Sequence, residues 1–137
     1  MRFWGKKKEE AKEAPKEAKR EPSLLELLCG DDKALYEDLS WSMYLNPTGK
    51  GTHEEAMKKA EEFEREGKKS EAAREYRHAA ALALYEGSAD GVKRAFDKSA
   101  ELSERKFLRI REMPEKAVEI VRKYYERELK TPGAQRA

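Results

Sequence analysis

The chain holds one cysteine, one asparagine and one glutamine among its 137 residues, at Cys29, Asn46 and Gln135. A lone thiol excludes an intramolecular disulfide and any site built on several thiolates, and fits a reducing compartment. No stretch approaches the ~20 apolar residues needed to cross a bilayer. The opening MRFWGKKKEE has no apolar run of secretory length behind its charges, so the expected location is cytoplasmic. Alternation of period two is also missing over any useful length, and strands are not expected.

Charge fills the space these absences leave. Charged residues make up 42% and hydrophobic residues 38% of the chain. Lys and Glu enrichment with almost no thermolabile amides is a hyperthermophile signature, and the expected source is a thermophilic archaeon. The net charge of +2 is unevenly spread: residues 1–22 carry eight bases and five acids, residues 23–103 twelve and seventeen, residues 104–137 ten and six. An acidic centre between basic ends argues against a nucleic-acid-binding core, while leaving either arm able to touch phosphate.

Residues 1–22 read as a disordered basic tail, because KKKEEAKEAPKEAKR has no apolar residue larger than Ala and is interrupted by Pro15. Phe3 and Trp4 stand at its outer end, either as exposed rings or as a short docking motif. A single helical domain is expected over 23–131, followed by a flexible C-terminus at 132–137. Ser23 with Glu26 forms a capping box ahead of Leu24, Leu25, Leu27 and Leu28, and Gly30 ends that helix. Asp31 or Asp32 caps a second helix carrying Leu35, Leu39 and Met43. NPTGKG then turns the chain, and Thr52 with Glu55 opens a third helix with Ala56, Met57, Ala60 and Phe63 on one face.

After Gly67 a fourth helix carries Ala72, Tyr76, Ala79, Ala83 and Leu84, stopping at Glu86-Gly87-Ser88. One further helix is expected to align Val92, Ala95, Phe96, Ser99, Ser103, Phe107 and Ile110. Pro114 starts a last helix through Val121, Tyr124 and Tyr125. The fold class is all-α, a small antiparallel helical bundle made of a hairpin plus flanking helices.

The series Ala60, Phe63, Gly67, Ala72, Tyr76, Ala79 places small residues where two helices meet, rings beside them and a glycine at the turn. It resembles the tetratricopeptide repeat. GKKSEAAREYRHAA followed by DGVKRAFDKSAEL also resembles the microtubule-interacting-and-trafficking (MIT) domain. The likeness covers residues 53–86 well and 53–105 loosely. Against the tetratricopeptide pattern, Ala56 and Lys59 stand where a bulky pair is usual, the closing proline is missing, and no second copy follows. The resemblance implies a peptide held in a groove between helices. The helix ending at Leu82 and Tyr85 is apolar nearly all round, so those two residues are the candidate partner contacts unless the 24–45 helices or the last helix cover them.

No constellation for chemistry emerges. TGKGT at 48–52 lacks the first glycine, preceding strand and loop length of a phosphate loop. Arg74 and His78 resemble the Arg/His pair of helical HEPN ribonucleases, but three residues separate them where that pattern wants four to six. His53 reads as a turn residue beside Thr52. Cys29, at a helix C-terminus, reads as a small buried hydrophobe with a raised pKa. No cofactor or metal is expected, and the chain is not expected to be an enzyme. Its expected role is non-catalytic protein or peptide binding. The alternative is an RNA- or ribosome-associated factor, with Arg109, Arg122 and Lys123 as the candidate contacts.

Overall fold

The computed structural model describes residues 22–129, so the expected tail, Pro22 apart, and the expected C-terminal segment lie outside the described residues. Seven helices and no strand are found among the described residues: α1 (Leu24–Cys29), α2 (Lys33–Ser42), α3 (His53–Arg65), α4 (Lys69–Glu86), α5 (Ala89–Leu102), α6 (Leu108–Glu112) and α7 (Pro114–Glu128). The all-α expectation holds.

Local chemistry sets most boundaries. The Ser23 hydroxyl accepts from the Glu26 N–H at 3.2 Å while the Glu26 carboxylate accepts from the Ser23 N–H at 2.7 Å. Thr52 and Glu55 form the same reciprocal pair at the start of α3. Asp32 caps α2 through the Leu35 N–H at 3.1 Å. Between α3 and α4, Gly67 takes φ +80°, and the Lys68 N–H returns to the Phe63 carbonyl at 2.9 Å. The same carbonyl also accepts from the Glu66 N–H at 3.1 Å, and the pair of bonds closes the helix end as the chain reverses.

The helix α4 is the centre of the fold. It packs against α3 and α5 along its length, and against α7 and α2 on its remaining sides. Residues 79 to 84 form an unbroken buried run within it, which is what a helix apolar all round requires. Ala60 of α3 and Ala72 and Ala79 of α4 belong to one core with no exposed surface on any of the three, and such small residues let two helix axes approach closely. Tyr76 is fully buried beside this seam and its hydroxyl donates to Glu64 Oε1 at 2.7 Å. Phe63 packs half-buried against the same core under Lys68, whose Nζ lies 5.8 Å from the ring centroid.

The long helix expected through Ile110 is corrected. Ser103 closes α5, and Phe107 follows in the left-handed region at φ +49°. The cause is tertiary. Lys106 Nζ donates to the carbonyls of Ala100 and Ser103 at 2.8 and 3.0 Å, satisfying the end of α5. Phe107 turns back so that its ring centroid lies 4.6 Å from that of Phe96. The Asp38 carboxylate of α2 accepts from the Arg109 and Ile110 N–H groups at 3.0 and 3.3 Å, opening α6. Three helices, not two, therefore follow the hairpin.

Candidate docking groove

The first candidate contact, Leu82, is withdrawn from any partner: it is fully buried. Tyr85 is half-buried and meets Tyr125 of α7 edge-on, with centroids 5.5 Å apart. No groove is open at these two residues: Leu82 lies in the core and Tyr85 packs on the chain's own last helix. The Tyr125 hydroxyl also donates to the Tyr44 carbonyl, and the Tyr44 hydroxyl pairs with His78, which ties the start of the 43–51 segment to α7 and α4.

The basic candidates are held by acids. The Nε and Nη2 of Arg109 both lie 2.9 Å from Asp32 Oδ2, and its Nη1 lies 3.1 Å from Glu112. Lys116 adds a third contact to the same Asp32 oxygen at 3.3 Å. The Arg109 hydrogen bond is the largest cause that brings the Asp32 carboxyl down to about 2. Arg122 pairs with Glu119 and, at 2.6 Å, with Glu126, while Lys123 stands 3.9 Å from Glu119. Arg105 lies over Trp41, its guanidinium carbon 4.4 Å from the ring centroid.

The remaining candidates serve the fold. His78 Nδ1 shares a 2.6 Å hydrogen bond with the Tyr44 hydroxyl. The thiol of Cys29 is buried and raised to about 11, first by desolvation and then by Asp32. In the NPTGKG turn, Pro47 is buried and the Lys50 N–H returns to its carbonyl at 3.3 Å. His53 is more than a turn residue: its N–H and its Nδ1 reach the two oxygens of Glu86 at 2.8 and 2.6 Å. Among the described residues no group of three or more His, Cys, Asp or Glu could hold a metal ion.

An apolar groove stands open on the α1–α2 side. Tyr36 and Ser40 fall one turn apart on α2, which puts them on one face, and Met43, the residue that caps its C-terminus, lines the same groove. Leu24 and Leu25 of α1 flank this face, Tyr124 and Glu128 of α7 form the far wall, and Leu45 overhangs the end at 77% exposure. Tyr36 also lines a second depression, with Leu27 at 64% exposure and an acidic edge of Glu26 and Asp31. The two cavities, 460 and 430 Å³, are each of a size that can seat large side chains. Desolvation and then Glu128 raise the Tyr124 hydroxyl above its ordinary value. The sequence reading missed this groove, although the apolar residues of LLELLC and the Tyr36/Met43 spacing that build it were visible.

No family model, curated protein or solved structure matches the chain.

Proposed function

We propose that the protein is a non-catalytic binding module that holds a peptide or helix of a protein partner in the groove between α1, α2 and the end of α7. The observation carrying this reading is that Leu27 and Leu45 stand exposed around half-buried Leu24, Tyr36, Met43 and Tyr124. Clustered apolar side chains with a polar edge fit recognition of an amphipathic segment. The three consecutive helices α3, α4 and α5 also support the MIT-like resemblance, although the groove lies on the added helices. Ion pairing of Arg109 and Arg122 weakens the RNA reading, because phosphate would have to displace carboxylates already 2.6 to 3.1 Å away.

Selection from a random 12-residue peptide library tests the proposal. Enriched peptides carry apolar anchors, and Leu45→Glu weakens them about tenfold or more while leaving the helical circular-dichroism spectrum intact. Binding indifferent to both Leu45→Glu and Tyr36→Ala removes the groove as the site.

A further inference from the structure

The groove sits where the chain enters the fold. Pro22 lines the Leu27 depression and Ser23 lines the Leu45 depression, so the segment before residue 22 begins on the rim. Seventeen residues, 5 to 21, separate Trp4 from Pro22. Such a stretch spans at most about 60 Å, whereas α1 and α2 are only about 9 and 15 Å long. Every part of the groove is within reach of Trp4.

Composition and charge match as well. Among the first 21 residues only Phe3 and Trp4 are large and apolar besides Met1, and Arg2 with Lys6, Lys7 and Lys8 surround them. The groove has Glu128 on its edge, and the Leu27 depression that adjoins it at Tyr36 adds Glu26 and Asp31 against one base, Lys33. The wider surface agrees: residues 22–129 carry twenty bases and twenty-three acids, a balance of −3, whereas residues 1–21 carry eight and five, a balance of +3. Opposite fields favour encounter, and an aromatic pair supplies the rigid anchors that apolar grooves take best.

We propose that the Arg2-Phe3-Trp4 stretch of this same chain docks in the α1–α2–α7 groove and competes there with the partner. The inference rests on the binding reading above and names its regulator. Tethering makes weak contacts sufficient. With an effective concentration of about 1 mM, a docking affinity of only about 0.1 mM fills the groove roughly nine-tenths of the time and lowers a partner's apparent affinity about tenfold.

The full chain carrying Trp41→Phe tests this, because Trp4 is then its one tryptophan and the removed ring is an exposed one. The proposal expects Trp4 emission to be blue-shifted from that of the urea-unfolded chain and protected from acrylamide. Both effects are independent of protein concentration and are lost on adding Leu45→Glu or Tyr36→Ala. It also expects Phe3→Ala/Trp4→Ala to bind a library-selected peptide about tenfold tighter. Emission equal to that of the unfolded chain overturns it. So does protection that grows with concentration alongside a dimer mass, which assigns the groove to a second copy. Protection appearing only on vesicles of phosphatidylserine and phosphatidylcholine overturns it too, and assigns the aromatic pair to a lipid surface. An exposed Trp4 in a chain whose selected peptide still depends on Leu45 defeats this inference alone. Loss of that peptide dependence defeats the groove reading itself.

Discussion

His53 and Glu86 join the first residue of α3 to the last of α4 by two hydrogen bonds, one from the backbone and one at the ring. The pinned ring leaves no room beside α5: a Cβ added at Gly91 would lie 2.8 Å from His53 Nε2 and 2.9 Å from the Ser88 hydroxyl that caps the helix. Alanine is the better helix former by about 1 kcal/mol, yet Gly91→Ala is expected to destabilise by about 1–3 kcal/mol through overpacking. In a His53→Ala background the penalty shrinks by at least about 0.5 kcal/mol. Urea melts of the four chains check this, and strictly additive effects contradict it.

Ser99 makes the opposite case. It has no exposed surface, and its hydroxyl has no hydrogen-bond partner among the described residues. Removing an unsatisfied buried hydroxyl without changing shape is neutral or stabilising. Ser99→Ala is expected to leave the melting temperature unchanged or raised, and a loss of more than about 1 kcal/mol would reveal a partner.

The carboxylate of Asp32, held by Arg109, Leu35 and Lys116, has a folded pKa of about 2 against an ordinary 3.8. A depressed acid stabilises the fold above its unfolded pKa, and that contribution is lost as pH falls towards the folded value. Glu64 and Asp97, also lowered, act in the same direction, whereas Asp38, raised by burial, acts against them. Stability should therefore decline as pH drops from about 5 to 2. Asp32→Asn should be less stable at pH 7 and flatter across that window; identical slopes in pH-dependent denaturation would remove Asp32 from the account.

Asp38 starts α6 from a distant helix. Asp38→Ala leaves the Arg109 and Ile110 N–H groups without their acceptor, at a cost of about 1–3 kcal/mol. Hydrogen exchange should accelerate at those two amides well before it does in α4. Uniform acceleration across the chain would contradict a local role.

Residues that act within one turn of themselves were legible. The Ser23 and Thr52 boxes follow from side chains three positions apart, and the reversal at Gly67 and the start at Pro114 from the backbone preference of one residue. Phe107 was not, because Asp38 and Phe96 decide its turn and neither is a helix neighbour. His53 looked like a turn residue since its partner Glu86 lies 33 positions away. The apolar end of α4 was readable as a surface needing cover, but periodicity cannot say which helix supplies it. Tyr125 covers Tyr85, and apolar surface stands open instead at Tyr36, Met43 and Leu45.

The most direct test of the docking groove is calorimetric titration of one library-selected peptide into the wild-type chain and into Leu45→Glu. Leu45 is 77% exposed, so the variant should keep its melting temperature while its affinity falls about tenfold or more. Equal affinity in the two chains, with both fully folded, would contradict the account.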